Sequence, residues 1–521
     1  MTITELQQQY AAHPNTAVME RLLKDASVQT IFCGGLCASS ASLFSSVLVK
    51  QDVCPFVFVL GDLEEAGYFY HDLTQVLGTE KVFFFPSSFR RSIKYGQKDA
   101  ANEILRTEVL SRLQKGEEGL CIVTYPDALA EKVVSRKELS DKTLKLNVGE
   151  KLDTTFITDV LHSYGFEYVD YVYEPGQYAV RGSIIDVFSF ASEYPYRIDF
   201  FGDEVESIRT FEVESQLSRE RKEGVAIVPD LAVTGDVTTS FLDFIPKETV
   251  LAMRDFLWLR ERIQVVHDEA LTPQAIAVQE AEENGGITLE GKLIDGSEFT
   301  VRALDFRRME FGNKPTGTPD AKISFHTSVQ PIFHKNFDLV AGSFKDYLEQ
   351  GYSLYICSDS TKQTDRIRAI FEDRGDKIQF TPVVRTIHEG FVDHTLHLCI
   401  FTDHQLFDRF HKYNLKSDKA RSGKVALSLK ELNQFTPGDY VVHTDHGIGR
   451  FSGLVRIPNG DTTQEVLKLV FQNEDVVFVS IHSLHKVSKY KGKDGEAPRL
   501  NKLGTGAWEK LKDRTKAKIK D

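Results

Sequence analysis

A loop near the N-terminus has the layout of a phosphate-binding loop but lacks its key residues. Thr30–Cys33 predicts a strand, and a glycine-containing loop connects it to a helix predicted from about Ser42. In a phosphate-binding loop, backbone N–H groups and one lysine hold the nucleotide phosphates. When the pattern GxxxxGK(S/T) is placed on Gly35, Ser40 stands at the second glycine, Ala41 at the lysine and Ser42 at the hydroxyl.

The missing lysine argues against nucleotide hydrolysis at this loop. Without it, the charge on the β- and γ-phosphates has no partner, so we predict a degenerate, non-functional phosphate loop. An α/β loop that never bound nucleotide is the alternative. We therefore expect no catalytic residue, no bound metal and no cofactor in this chain.

Two arginines and a phenylalanine lie in a region whose character differs from its surroundings. Lys145–Phe211 predicts a short helix followed by short strands that are joined by turns. Arg181 ends one strand, Arg197 lies within another, and Phe201 closes that strand at a turn. Exposed on one sheet, these three side chains would form a protein-recognition hot spot. The alternative is that both arginines form ion pairs across the sheet with Asp186, Asp199 or Glu206.

The C-terminal part predicts a small all-β module without any catalytic pattern. It begins with Gly438–Phe451, which reads GDYVVHTDHGIGRF, and Gln472-Asn473-Glu474 predicts a hairpin turn. Short strands at this spacing predict a small twisted barrel of Tudor/SH3-like type or an open sheet. We expect a docking module with strands at Tyr440–Val442, Phe451–Ile457, Glu465–Phe471 and Asp475–Ser480.

Within this module we predict an exposed edge strand at Leu454–Ile457, before a Pro-Asn-Gly-Asp turn. An exposed edge offers unpaired N–H and C=O groups, to which a partner can add a strand. A lone isoleucine, Ile457, beside Arg456 suits a small docking pocket on a partner. The alternative is that Ile457 is an ordinary core residue.

The remaining sequence predicts a multidomain α/β protein. Apolar runs that alternate with helix-like stretches predict a parallel sheet covered on both faces, of degenerate phosphate-loop type, interrupted by the α+β insert. A second small α/β unit and the C-terminal β-barrel follow. The apolar runs are Phe56–Leu60, Val82–Phe85 and Leu120–Tyr125. We also expect a strand at Tyr168–Tyr173, a helix at Phe344–Gln350 and polar strands within Gly285–Arg308.

The predicted domain boundaries follow from these changes in pattern. Residues 1–143 and 229–322 form the two parts of the first α/β domain, 144–228 the insert, 323–415 the small α/β domain, 416–431 a linker, 432–503 the barrel and 504–521 the start of a linker helix. Because Thr505–Asp521 predicts a helix without a C-terminal cap, we expect the natural chain to continue.

Composition limits the classes of protein to which this chain can belong. With 521 residues, 41% of them hydrophobic and 27% charged, the chain is long enough for several globular domains. Its net charge of −13 argues against a general DNA clamp, since duplex binding uses clustered Lys and Arg. No apolar run approaches the roughly 20 residues that span a bilayer. Six scattered cysteines without a CxxC pair predict a reducing cytoplasm and no zinc site.

Three segments of the insert resemble the UvrB-homology module of the bacterial transcription-repair coupling factors: Gly176–Gly182, Ile185–Phe188 and Tyr196–Phe201. In that family the module recruits UvrA, and Arg181, Arg197 and Phe201 fall on its UvrA-contacting positions. Ala179 stands where UvrB itself carries another arginine. The coupling-factor branch also lacks that arginine. The β-hairpin with which UvrB grips damaged DNA is not recognisable, so the resemblance does not imply lesion recognition by this chain.

Three C-terminal segments resemble the RNA-polymerase-interacting domain of the same family, which is related to CarD-type transcription regulators. These segments are Gly438–Phe451, Ser483–His485 and Leu500–Gly504. The resemblance places Ile457 on the family's apolar contact with the polymerase β subunit, with Arg456 and Leu454 beside it.

The resemblance implies a function in transcription-coupled nucleotide excision repair. This chain would be an adaptor that binds stalled RNA polymerase and UvrA, while ATP, magnesium and most DNA binding would belong to a motor absent here. The parent protein would be an ATP-dependent DNA translocase. Two alternatives stay open: a UvrB-like nucleotide-dependent helicase subunit, and a CarD-type transcription regulator without a repair function.

Overall fold

The computed structural model describes residues 1–88, 100–213, 215–231, 238–272, 289–411, 413, 436–443, 445–459, 462–480, 487–490, 498, 500–503 and 508. The expected linker 416–431 and nearly all of the expected helix Thr505–Asp521 lie outside these residues.

The strands are β1 (Thr30–Gly34), β2 (Phe56–Val59), β3 (Val82–Phe84), β4 (Cys121–Thr124), β5 (Val133–Val134), β6 (Leu144–Asn147), β7 (Glu167–Tyr168), β8 (Gln177–Arg181), β9 (Ile184–Val187), β10 (Tyr196–Phe201), β11 (Glu204–Phe211), β12 (Ser218–Lys222), β13 (Gly224–Ile227), β14 (Thr238–Thr239), β15 (Val250–Met253), β16 (Arg307–Gly312), β17 (Ala321–Ser324), β18 (Thr327–Val329), β19 (Ser353–Ser358), β20 (Thr381–Val384), β21 (Phe391–Asp393), β22 (Leu398–Thr402), β23 (Tyr440–His443), β24 (Gly447–Asn459), β25 (Thr462–Val470), β26 (Val476–Ser480) and β27 (Val487–Lys489).

The α-helices are α1 (Ile3–Tyr10), α2 (Pro14–Lys24), α3 (Ser40–Gln51), α4 (Leu63–Leu77), α5 (Ala100–Gln114), α6 (Pro126–Ala130), α7 (Arg136–Asp141), α8 (Thr154–Ser163), α9 (Phe256–Ala270), α10 (Gly296–Ala303), α11 (Phe337–Glu349), α12 (Thr361–Asp373) and α13 (Asp403–Leu406). Short 3-10 turns occur at Phe241–Asp243 and Gln472–Glu474. No helix within the described ranges has the length and apolar character needed to cross a membrane.

The first unit is built on a seven-stranded parallel sheet with strand order β17-β1-β16-β15-β2-β4-β3. Strands β1–β4 precede the insert and β15–β17 follow it, so both parts of the chain share one sheet. Strands β2, β4 and β15 are buried along their whole length. A strand buried on both faces is a continuous apolar run, which is why the sequence predicts β2 and β4, although β15 was not predicted. The predicted parallel sheet is confirmed.

Two local predictions are wrong, one in the first unit and one in the second small unit. Gly285–Arg308 does not contain only polar strands, because α10 forms within it; the Asp295 side chain caps its N-terminus by accepting from the N–H groups of Ser297 and Glu298. The helix predicted at Phe344–Gln350 begins earlier, at Phe337, where the Asn336 side chain caps it.

The insert is a six-stranded sheet with order β12-β11-β10-β9-β8-β7, in which only the β7–β8 pair is parallel. Helix α8 packs Ile157 and Leu161 on one face of this sheet, against Ile198 of β10 and Ile185 of β9. The strand predicted at Tyr168–Tyr173 is wrong beyond Tyr168, because the chain then turns over the other face and buries Val172 there.

The second small unit has a five-stranded sheet with order β18-β21-β22-β19-β20. One face packs against α11 and α12 through Phe344, Ile367 and Phe401. Residues of the other face, among them Cys357 and Ile400, belong to the same hydrophobic core as the first unit. The two units therefore share a core although the sequence shows them as separate patterns.

Four histidines meet where these two units contact each other: His71 on α4, His388, His404 on α13, and His411. We call them the histidine joint. The rings of His404 and His411 stack with centroids 4.4 Å apart, and the ring of Tyr68 stacks on His388. Burial lowers the pKa of His71, His388 and His411 to about 4 and also lowers the pKa of His404. The joint is therefore neutral near pH 7.

The C-terminal module is a five-stranded antiparallel sheet with order β26-β25-β24-β23-β27. Its core is formed by apolar side chains such as Val441, Phe451, Leu469 and Val479. The four predicted strands are present, and Gln472–Glu474 forms the turn between β25 and β26. Closure into a Tudor/SH3-like barrel stays a prediction.

Candidate protein-interaction site

The loop after β1 is packed against the connection between β17 and β18. The Phe325 N–H donates to the Gly34 carbonyl at 2.7 Å, and the Thr327 hydroxyl donates to the Gly35 carbonyl at 2.6 Å. Gly35 has a φ of +87°, and a Cβ at this position would lie 2.0 Å from the Phe325 carbonyl oxygen. Glycine is therefore required here by the fold of this chain itself.

The groups that would face a phosphate have partners within the chain. The Cys37 N–H lies 2.9 Å from the Ser40 hydroxyl and 3.1 Å from the Thr327 hydroxyl. The Ser42 hydroxyl, which would serve a metal ion in a phosphate loop, donates to the buried Asp72 carboxylate at 2.7 Å. Ala41 is half-buried and packs against the core. This closed geometry supports the prediction that the loop is non-functional.

The second unit contributes to this closure. The Glu389 N–H donates to the Ser39 hydroxyl at 2.9 Å, and the His388 N–H donates to Asp72 at 2.7 Å. Complete burial raises the pKa of the Asp72 carboxyl to about 6, although hydrogen bonds from Ser39, Ser42 and His388 oppose this shift. The histidine joint and the loop are thus parts of one contact.

The insert holds two arginines on one buried carboxylate. Arg197 binds Asp186 with two parallel hydrogen bonds, Nε to Oδ1 at 2.8 Å and Nη2 to Oδ2 at 2.9 Å. Its Nη1 donates to the Gln216 carbonyl at 3.0 Å. Arg181 donates through Nη2 to the same Oδ2 of Asp186. The predicted alternative of ion pairs across the sheet is therefore confirmed, with Asp186 as the partner of both arginines.

Exposure separates the three predicted contact residues. The Arg197 side chain is only 14% exposed and its guanidinium lies 4.4 Å from the centre of the Phe211 ring. The expectation that Arg197 is an exposed group is therefore wrong, because it serves the fold. The Arg181 side chain is 33% exposed and Phe201 is 81% exposed. These two residues are accessible to a partner, and their role in binding stays a prediction.

The hairpin between β10 and β11 accounts for the exposure of Phe201. Phe201 pairs with Glu204 across the turn, and Gly202 takes a φ of +63° between them. The turn is held from one side because the Leu152 N–H donates to the Asp203 carbonyl at 2.7 Å. Phe201 therefore lies at the end of a fixed hairpin, where no core covers its ring.

The polymerase-contact residues predicted in the C-terminal sheet lie in β24. Within β24, only Gly447–Arg450 pairs with β23, whereas Leu454–Asn459 pairs with β25. Among the described residues, a strand therefore lies on one side of Leu454–Asn459 only. Leu454 is 39% exposed. The backbones of Arg456 and Ile457 pair with those of Glu465 and Gln464, while their side chains lie outside what the structure describes.

Two of the C-terminal segments singled out from the sequence meet in space. The Ile448 N–H donates to the Asn501 side-chain oxygen at 2.7 Å, and the Asn501 N–H donates to the Ile448 carbonyl at 2.9 Å. Gly447 has a φ of +82°, and a Cβ there would meet Asn501 at 2.5 Å and the Trp508 ring at 2.9 Å. The HGIGR segment therefore contacts the segment at Asn501, and residue spacing alone does not predict this contact.

No group of three or more His, Cys, Asp or Glu side chains in the described part of the chain is arranged to hold a metal ion. His394, which the sequence places near His397, instead lies 2.8 Å from the Tyr352 hydroxyl and 3.0 Å from that of Ser328. The six cysteines are free thiols.

Comparisons with known proteins match two parts of the chain to protein families. Residues 144–232 match the UvrB interaction domain, and residues 435–491 match the CarD-like/TRCF RID domain. The first match contains Asp186 and both of its arginines, and the second contains all of β24.

Curated relatives extend the similarity over nearly the whole chain. The transcription-repair-coupling factors of Staphylococcus aureus strains bovine RF122 / ET3-1 and USA300 are each 24% identical to it over 94% of this chain and 47% of their own length. The coupling factor of Staphylococcus haemolyticus strain JCSC1435 is 24% identical over 95% of this chain and 48% of its own length. The chain is thus homologous to coupling factors and spans about half the length of these relatives.

Proposed function

We propose that this chain acts in transcription-coupled nucleotide excision repair as an adaptor between RNA polymerase and UvrA. The observation that carries the proposal is the presence of both interaction modules, residues 144–232 and 435–491, in a chain homologous to coupling factors over 94% of its length. We expect this function in the cytoplasm.

In this proposal the insert binds UvrA through Phe201 and Arg181. An exposed aromatic ring and a guanidinium on the same sheet are typical anchors of a protein interface. Arg197 contributes indirectly, since it shares Asp186 with Arg181 and so fixes the position of the exposed guanidinium.

The C-terminal sheet binds RNA polymerase through its β subunit in the same proposal. The unpaired side of Leu454–Asn459 offers main-chain N–H and C=O groups to a partner strand, and Leu454 offers an apolar contact. From the family resemblance we expect Ile457 and Arg456 to contribute as well.

ATP-dependent DNA translocation would require residues beyond those of this chain. The loop at Gly35–Ser42 supports this division, because its polar groups already have partners within the fold. We expect ATP and magnesium to bind outside these 521 residues, and DNA to bind this chain only weakly.

A bridging assay tests the proposal. RNA polymerase is immobilised, the chain is added, and retention of UvrA is measured. We expect UvrA to be retained only when the chain is present. Phe201→Ala should weaken UvrA binding by about 2 kcal/mol and leave polymerase binding unchanged. A chain that binds polymerase but never UvrA would instead favour the CarD-type regulator, and tight ATP binding would favour the helicase-subunit alternative.

A second pair of variants tests the polymerase contact. Leu454→Arg should weaken polymerase binding by about 1 kcal/mol or more, since it places a charge beside the free strand side. Val476→Arg is the matched control, because Val476 is also 39% exposed but lies on β26, at the edge of the sheet. Equal loss in both variants would contradict the assignment of the contact to β24.

A further inference from the structure

One face of the insert sheet carries far more arginine than its fold requires. Arg197 on β10 lies directly opposite Arg209 on β11, and Arg209 lies directly opposite Arg221 on β12. Residues opposite each other in antiparallel strands share a face, and alternate residues along one strand do so as well. The face opposite α8, which we call the arginine face, therefore bears Arg181, Arg197, Arg209, Arg219 and Arg221.

The acidic groups on this face do not balance these arginines. Asp186 serves Arg181 and Arg197, Glu212 lies 2.7 Å from Arg219, and Asp199 lies 3.6 Å from Arg209. No ion pair between described residues includes Arg221, which is exposed. The Nε atom of Arg209 is buried without a hydrogen-bond partner. Counting Glu204, which lies directly opposite Phe201, five arginines on this face thus meet four described carboxylates, in a chain whose net charge is −13.

The direct pairing of Arg209 with Arg221 has a cost for folding. Like charges that lie directly opposite each other across two strands destabilise a sheet. Charges on an edge strand such as β12 can prevent edge-to-edge aggregation. That explanation covers Arg221 but not Arg209, because β11 lies between β10 and β12. A pairing that disfavours folding is typical of a functional surface.

We propose that the surface that binds UvrA extends from Phe201 and Arg181 across the sheet to Arg209 and Arg221, where it receives an acidic surface of UvrA. The inference rests on the proposed function and names the chemistry of the partner. Guanidinium groups match carboxylates in geometry and charge. The exposed ring of Phe201 on the same insert favours a protein partner over nucleic acid, because it adds an apolar anchor.

Two neighbouring residues of β12 provide the test. Arg221 pairs with Arg209 on the arginine face, whereas Lys222 pairs with Ile208 on the face covered by α8. Arg221→Glu and Lys222→Glu in the full chain make the same change of charge one residue apart. At about 50 mM salt we expect Arg221→Glu to weaken UvrA binding roughly tenfold and Lys222→Glu less than about twofold. At about 0.5 M salt the difference should become much smaller, because a Debye length of about 4 Å screens the interaction between exposed charges.

The outcomes separate this inference from the proposed function. If the unmodified chain does not bind UvrA, the proposed function fails. If it binds UvrA and Phe201→Ala weakens binding, but Arg221→Glu and Lys222→Glu behave alike, the function stands and the inference is overturned. Loss of affinity for a duplex DNA probe in Arg221→Glu without loss for UvrA would also overturn it. Arg221→Gln, which removes charge without reversing it, should give an intermediate loss.

Discussion

The loop after β1 and the arginine face of the insert are two polar sites that differ in how far their polar groups find partners within the chain. In the loop, the Cys37 N–H and the Ser42 hydroxyl are bound by Thr327, Ser40 and Asp72 of the same chain. On the arginine face, one buried carboxylate holds two guanidiniums, and Arg221 forms no ion pair with any described residue.

The two sites differ in whether their polar groups find partners within the chain. Buried polar groups in a stable fold find partners, so a site whose groups are all engaged inside the chain is part of the scaffold. We expect a site that keeps charged donors at the surface, at a cost to folding, to bind a partner outside the chain. The loop has the layout of a known motif, yet the geometry favours the insert.

The largest expected effect is on the carboxylate that organises the arginine face. Asp186→Asn should lower the free energy of unfolding of the insert by about 3–5 kcal/mol, because two guanidiniums lose their buried counter-charge. Asp199→Asn, whose carboxylate is 24% exposed and 3.6 Å from Arg209, should cost less than about 1 kcal/mol. Urea unfolding followed by hydrogen exchange of the insert amides measures both. Equal costs would show that Asp186 has no special role.

A second change breaks the closed loop. Gly35→Ala should destabilise the first unit by about 3 kcal/mol, since it combines a positive φ with a clash against the Phe325 carbonyl. Gly116→Ala is the control: Gly116 has a φ of +72° and nothing within 4 Å of the added carbon, so only about 1 kcal/mol is expected. Thermal melting of the two variants separates the cost of the steric clash from the cost of the positive φ. A Gly35→Ala variant as stable as Gly116→Ala would mean that the loop is not tightly closed.

Acidification should weaken the contact between the two α/β units at the histidine joint. A histidine whose pKa falls from 6.5 to about 4 on folding binds its proton more weakly in the folded state. The stability that it contributes is present above pH 6.5 and is lost as the pH falls towards 4. Asp72, with a pKa raised to about 6, has the opposite sign and becomes more favourable on acidification, as does Asp403. Four histidines outweigh these two carboxyls, so we expect a net loss of stability.

Urea midpoints between pH 7 and pH 5 measure this effect. The charged and polar groups that face the joint are Tyr68, Asp72, Asp359, Glu389, Asp403 and Arg409. His411→Gln should flatten the profile, because it removes one titrating ring and its repulsion of His71 and His388. A midpoint that does not change over this pH range would contradict the role assigned to the joint.

The smallest expected effect comes from restoring the phosphate-loop pattern. The double variant Ser40→Gly and Ala41→Lys should gain no measurable ATP binding, because the Thr327 hydroxyl still accepts from the Cys37 N–H and Asp72 still binds the Ser42 hydroxyl. Isothermal titration with Mg-ATP measures this. Binding at micromolar concentration would show that the loop is merely missing its lysine, and it would remove the contrast with the insert.

The sequence predicted best those elements whose signal is local. Strands such as β2 and β4 are buried on both faces, so they appear as uninterrupted apolar runs. Strand β12 was missed because all five of its residues are exposed and none is apolar. It forms because its main chain pairs with that of β11, and this pairing leaves no apolar pattern in the sequence.

The candidate site was predictable in its residues but not in its arrangement. Spacing and resemblance singled out Arg181, Arg197 and Phe201, and offered Asp186 as one of three carboxylates. Only the register of β8, β9 and β10 shows that Asp186 lies between the two arginines. The joint between the two α/β units was missed because His71 is separated from the other three histidines by more than three hundred residues.

The shared carboxylate of Asp186 also affects how fast a partner can bind. Because Arg181 and Arg197 are fixed in the free chain, little side-chain freedom remains to be lost at encounter. Association should then proceed at the rate of orientation-limited docking, about 10⁵–10⁷ per molar per second, without a slow rearrangement step. Truncating the ring of Phe201 would leave this rate nearly unchanged and shorten the lifetime of the complex.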